Sequence, residues 1–212
     1  MKLTTARVTG LFYLGLVIIG VFAFLFAREA LFVEGNALET MSNLVENESL
    51  ARLGVAATIL LAGFQALTAS WFFKLFRKKD SFVAGLITVF GMVNSILILA
   101  ASAFWLMALN TALAGGMDSS VQTLSATHDA LWQVSALFFG LWLLPMAYMA
   151  QKYNLPRVMV WFLVAGGVGY VLSTFTSVLL PDQDALTDIL PLPANIGEFW
   201  MVGYLLLKKV ND

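Results

Sequence analysis

The chain has no cysteine and a single histidine, and only 12% of its 212 residues are charged. Without thiols there can be no disulfide, thiolate nucleophile, thiolate zinc centre or iron-sulfur cluster, and the redox compartment cannot be read from cysteine usage. The charged fraction is about half the ~25% of ordinary soluble domains, while 60% of the residues are apolar, which is not the composition of a water-soluble protein. Twelve basic and thirteen acidic residues leave a net charge of -1. That balance lacks the broad basic face a nucleic acid needs, so it argues against such a partner.

What the chain does have is long apolar runs. A bilayer core of about 30 Å takes roughly 20 apolar residues at 1.5 Å rise each. Six segments qualify: 8–27, 53–73, 82–109, 130–150, 158–180 and 192–207. The third is uncharged and longer than the core requires, so it should tilt or project beyond the membrane. The sixth is short and carries Glu198. The fold expected is an all-α integral membrane protein, a six-helix bundle forming one polytopic domain over residues 1–212, with the lipid bilayer as its first partner.

Lysine and arginine set the orientation, because cytoplasmic loops retain an excess of them. Ten of the twelve fall on one side: Lys2, Arg7, Lys74, Arg77, Lys78, Lys79, Lys152, Arg157, Lys208 and Lys209. The other connections hold Arg28 and Arg52 and most of the acidic residues. Both termini are therefore expected in the cytoplasm. The first apolar run exceeds the 7 to 15 residues of a signal peptide and reads as an uncleaved signal anchor. In the first outer loop Leu38, Met41 and Val45 recur at helical spacing among polar neighbours, predicting a short amphipathic helix on the membrane surface. Asn47 or Ser49 is a candidate cap for the second span.

Polar groups within apolar runs are the functional leads. Glu198 lies about 15 Å along its helix from Lys208, at mid-membrane or in the outer half. It reads either as a proton acceptor, ion ligand or substrate anchor, or as a structural carboxylate paired with Arg28 or Arg52. Gln65 and Asn94, each about twelve residues into its span, are expected to meet near mid-depth as interhelical hydrogen-bond partners, and Gln133 is read the same way. Ala165, Gly169, Ser173 and Ser177, spaced by four, predict a close-packing stripe on the fifth span. Gly166, Gly167 and Gly169 lie inside an apolar run with no strand before them, which excludes a phosphate loop. His128 is followed by Asp129 and, four residues on, by Trp132. One histidine is too few for a typical zinc hydrolase site, so it reads as an interfacial residue at a helix start. Ser125, His128 and Asp129 supply the inventory of a catalytic triad, but no G-x-S-x-G elbow accompanies them. No cofactor or metal is implied.

Several of these segments taken together resemble a known family: Arg7 to Leu14, Arg28, Glu48 to Gly54, Leu155-Pro156-Arg157, Ala165 to Tyr170, and Ile196-Gly197-Glu198. In order and spacing they are similar to the bacterial multi-pass membrane family catalogued as domain of unknown function 4386. The resemblance implies a compact bundle in a bacterial inner membrane, implies no activity, and marks Arg7, Arg28, Arg52, Pro156, Arg157, Gly169, Tyr170 and Glu198 as signature positions. It also suggests an outward-facing polar cluster in which Arg28, Arg52 and Glu198 meet Asn110, His128, Gln133, Ser177 and Asn195.

Three functions fit this inventory. The first is a non-enzymatic protein that binds a small ligand, a lipid or a partner membrane protein through the polar cluster. The second is a small-molecule or ion transporter with Glu198 as its proton or ion site and Gln65 and Asn94 lining the path, although neither broken helices nor inverted repeats are evident. The third is an intramembrane hydrolase using His128 with Asp129 or Glu198. The missing catalytic set points away from an enzyme. The topology is checked by reporter fusions: a tail fusion should report the cytoplasm and one near Asp118 the outer side. A periplasmic tail would remove the sixth span or reverse the orientation.

Overall fold

The computed structural model describes residues 4–208, all of whose regular elements are helical. Lys2 and Lys209, used in the orientation argument, lie outside the described residues. Eight elements follow in order: α1 (Thr5–Leu31), α2 (Ala37–Glu46), α3 (Glu48–Phe76), α4 (Ser81–Leu113), α5 (Asp118–Lys152), α6 (Arg157–Leu179), α7 (Asp184–Ile189) and α8 (Leu192–Leu207). The helices α1, α3, α4, α5 and α6, together with the α7–α8 pair, are long and apolar enough to cross a membrane, so this is a multi-pass membrane protein. Large apolar side chains such as Leu25, Leu60, Ile96, Leu172 and Phe175 stand exposed along these helices, as a lipid-facing surface requires.

Hydropathy places the spans within a few residues but misses how far helices run past them. The third span is a helix of 33 residues, about 50 Å at 1.5 Å rise, longer than the roughly 30 Å of a bilayer core. The fourth begins at Asp118, well before the apolar run, because its first three turns are polar yet helical. The sixth is 16 residues long and is preceded by α7, with the break at Leu190 and Pro191. Within α1, Phe22–Arg28 form a π-helical stretch with Arg28 at its end. Such stretches widen the turn by one residue.

The expected amphipathic helix is α2. Asn36 caps it, its Oδ1 accepting from Glu39 N at 3.1 Å while its Nδ2 donates to Glu39 Oε2 at 2.8 Å. Thr40 and Leu44 face inward and Met41 leans on the same core, whereas Leu38 and Val45 are exposed. Asn47 does not cap the second span with its side chain. Its carbonyl accepts from Ala51 N, and its Nδ2 donates back to Asn43 O at the end of α2.

The chain divides into two compact units. Unit 2 (Gly15–Gly63 and Ser95–Trp132) is built around Ala27, Leu31, Leu44, Val55, Trp105 and Leu109. Gly54 makes room for the Trp105 ring there, since a Cβ would fall 2.5 Å from Cζ2. Unit 1 (Met1–Leu14, Phe64–Asn94 and Gln133–Asp212) buries Tyr13, Phe72, Phe76, Trp142, Leu143 and Met146. In its connections Asp80 caps α4, accepting from Val83 N at 3.1 Å, and pairs with Lys152 Nζ at 2.7 Å. These contacts, the Lys152 hydrogen bond foremost, hold the Asp80 carboxyl below its ordinary value.

Close packing in unit 1 runs through glycines, because lipid gives helices no hydrophobic reason to associate and contact must come from shape. A Cβ on Gly166 would collide with Ala194, one on Gly169 with the Leu190 carbonyl oxygen, and one on Gly197 would lie 2.9 Å from Leu163 N. These glycines bring α6 backbone to backbone with α8 and the segment before it. The expected stripe is corrected in part. Gly169 and Ser173 are buried, but Ser177 is only partly covered and Ala165 is exposed. Strict spacing by four drifts about 40° per step around a 3.6-residue helix, so the seam mixes threes and fours through Met159, Leu163, Gly166, Gly169 and Ser173. Gly169→Leu should therefore cost about 1 to 3 kcal/mol, read as lower thermal stability in detergent. Gly63→Leu, where a Cβ meets nothing within 4 Å, should change little. Equal stability of the two variants would refute the seam.

Candidate functional site

The eight sequence candidates divide between the units: Glu198, Gln65, Asn94, Gln133 and Asn195 belong to unit 1, and Arg28, Arg52 and His128 to unit 2. Their exposure divides them again. Glu198, Gln65, Asn94 and His128 are buried and Arg28 is partly covered, while Arg52, Gln133 and Asn195 are exposed. Asn195 sits just beyond the buried arc of α8 formed by Ala194, Gly197, Glu198 and Met201. Gln133 is one residue, or about 100°, past Trp132 on α5 and is turned outward. It cannot serve as interhelical glue within the described contacts.

Glu198, 7% exposed, is the buried acid of unit 1. Its expected arginine partners are replaced by a tyrosine: Tyr13 Oη donates to Glu198 Oε1 at 2.5 Å, joining α1 to α8. Arg28 and Arg52 are engaged elsewhere. Arg52 Nε binds Glu48 Oε1 at 2.7 Å one turn earlier on α3, with both side chains about half exposed. Around the Tyr13 hydroxyl the walls are aromatic. The Tyr13 ring meets Phe72 and Trp142 edge-on at 5.6 and 5.5 Å, and Phe139 touches both Trp142 and Tyr170. Tyr13 and Trp142 went unnoticed in the sequence because aromatics are ordinary in apolar runs. The available signal was the hydroxyl and the indole N–H, which need partners once buried.

Gln65 and Asn94 are as buried as expected, but the hydrogen bonds expected of them are missing. Gln65 Nε2 and Oε1, Asn94 Oδ1 and, beside them in unit 1, Trp142 Nε1 have no hydrogen-bond partner. In unit 2 the histidine does not stand at a helix start. It lies ten residues into α5 and is 1% exposed. Its Nδ1 faces Asp129 Oδ1 at 3.0 Å and its Nε2 accepts from Trp132 Nε1 at 3.1 Å, which calls for the neutral ring with its proton on Nδ1. Asp129 Oδ1 also accepts from Arg28 Nε and Nη2 at 3.2 and 2.8 Å. The imidazole stacks on Phe32 and meets the Trp105 edge. With both nitrogens engaged, His128 has no free lone pair for a metal or for a substrate proton, and Ser125 Oγ donates to its own helix at Val121 O. Among the described residues no hydrogen bond joins Ser125 to His128, so the hydrolase reading lacks a nucleophile in contact with its base.

A double-mutant cycle on Tyr13→Phe and Glu198→Leu measures the buried contact, because neither replacement can make the hydrogen bond. Each change should destabilise by about 1 to 3 kcal/mol, and the pair should fall short of the sum by at least about 0.5 kcal/mol. Arg52→Gln should stay within about 0.5 kcal/mol of the parent, as a surface pair predicts. Additive losses at Tyr13 and Glu198 would dissolve the pair.

No curated protein and no solved structure matches this chain. The family described as Domain of unknown function (DUF4386) matches residues 8–208, nearly its full length. The resemblance noted from Arg7-to-Leu14 and Ile196-Gly197-Glu198 is thus a membership: the chain belongs to the DUF4386 family.

Proposed function

We propose that this protein is a non-enzymatic binding protein of a bacterial cytoplasmic membrane, and that it takes a small amphiphilic cation at Glu198 inside unit 1. The observation that carries the reading is the neutral partner: Glu198 is buried and its hydrogen bond comes from Tyr13, not from a lysine or arginine. An ionised carboxylate in such a place is costly without a countercharge, and a ligand that brings an ammonium group supplies one. The aromatic surroundings support the same chemistry, since Tyr13, which bonds the carboxyl, packs against Phe72 and Trp142, and aromatic side chains attract organic cations. The glycine-locked contact of α6 with α8 favours a fixed binding element over the moving one that the transporter reading needs.

The test is calorimetric titration of the protein in nanodiscs with benzylamine and with its neutral analogue benzyl alcohol. Benzylamine should bind at least about tenfold more tightly, and Glu198→Gln should abolish that preference. Equal affinities in the parent protein would reject the cation reading.

A further inference from the structure

Polar atoms sealed inside a lipid-embedded bundle have no water to fall back on, so nearly all of them pair within the protein. The exceptions in unit 1 are concentrated. Gln65 on α3, Asn94 on α4 and Trp142 on α5 are each at most 1% exposed, and between them they leave two nitrogens and two oxygens without partners. Two of these groups converge. A point one Cβ length above Gly91 on α4 lies 3.5 Å from both Gln65 Nε2 and Trp142 Nε1. Gly91 is what permits the approach, since a side chain there would also run into Ala69 Cβ at 2.7 Å.

The inventory restricts what these groups recognise. Trp142 Nε1 can only donate, Asn94 Oδ1 can only accept, and the Gln65 amide does both. None carries charge. A cation would meet two N–H donors head-on, an anion would bring an uncompensated charge into hydrocarbon, and a carbonyl would answer the donors while leaving the oxygens unpaired. A hydroxyl answers both kinds. We propose that Gln65, Asn94 and Trp142 form a binding site for one neutral hydroxyl oxygen, which accepts from Trp142 Nε1 and Gln65 Nε2 and donates its proton to Asn94 Oδ1 or Gln65 Oε1. That hydroxyl belongs either to a single water molecule, which needs two to four polar partners, or to an alcohol-bearing ligand. The site borders the cation reading at Trp142 but does not rest on it, because neither Glu198 nor any charge is among its hydrogen-bonding groups.

The experiment follows the Trp142 indole proton by NMR in nanodiscs, with tryptophan labelled on the indole nitrogen and the resonance identified by its loss in Trp142→Phe. Magnetisation transfer from water to this proton identifies a bound water, and a saturable shift on titration with ethanol identifies an alcohol hydroxyl. Either result supports the site and tells the two sources apart. Both signals should disappear in Gln65→Leu and persist in Glu198→Gln, whatever becomes of amine binding. Gly91→Ala combined with Ala69→Gly, which keeps every polar group, fills the point of convergence and removes the Ala69 Cβ it would strike, covers the case in which Gln65→Leu does not fold, and it should also abolish the signal. A Trp142 proton that sees neither water nor ethanol, and contacts only the Gln65 side chain, would overturn the proposal, because the amide and the indole would then be bonded directly.

Discussion

Hydrocarbon neither donates nor accepts hydrogen bonds, so each polar group carried into the spans has to be answered by the chain or by something bound to it. Hydroxyls meet this locally. Thr58 donates to Gly54 O, Thr68 to Phe64 O and Thr174 to Tyr170 O, each one turn back on its own helix. Such bonds ask nothing of a neighbouring helix. Larger polar groups cannot reach their own backbone so easily and must find partners on other helices. Glu198 of α8 thereby depends on Tyr13 of α1, and Asp129 of α5 on Arg28 of α1.

Partners at a fixed distance need helices at a fixed distance, and glycine provides that. In unit 1 the α6 seam places Gly166 against Ala194 and Gly169 against the Leu190 carbonyl, and Gly140 of α5 lies close enough to Gly167 that a Cβ would be 2.6 Å from its oxygen. Glu198 follows Gly197, whose own contact with Leu163 N sets α8 in depth and rotation. The carboxyl is thus held by a backbone contact one residue away. In unit 2 a different device acts. The π-helical turn ends at Arg28, whose guanidinium reaches Asp129, and Asp129 in turn orients the His128 ring against Phe32 and Trp105.

Much of this was legible in the sequence, and what was not has identifiable causes. The six spans follow from hydropathy, and the short helix α2 follows from the spacing of Leu38, Met41 and Val45, although its inward face belongs to Thr40 and Leu44. Gln65, Asn94 and Glu198 stand out simply because hydrocarbon should exclude them, and all three are buried. Their partners could not be read. Opposite charge suggested an arginine for Glu198, yet Arg52 is satisfied one turn away by Glu48, and the group that reaches the carboxyl is an uncharged hydroxyl in an apolar run. Hydropathy marks where a helix is in lipid, not where it ends. That is why hydropathy puts a helix start near His128, which lies inside a polar but helical stretch of α5.

The two units differ in how completely their polar groups are matched, and this difference separates structure from candidate function. In unit 2 Arg28 is shared between Asp129 and Glu29, both nitrogens of His128 are engaged, and among the described residues the buried side-chain atom left over is the Trp105 indole nitrogen, whose ring still packs on Phe32 and His128. A cluster so matched stabilises the fold and has little left with which to hold a ligand. Unit 1 has the opposite character: a buried acid answered by one hydroxyl, and an amide pair with an indole that leave four atoms unanswered. An unmatched polar group in a bilayer is destabilising unless something else completes it. The incomplete cluster, not the complete one, is where a ligand would add most to the stability of the folded state, because binding to the native form alone deepens its well.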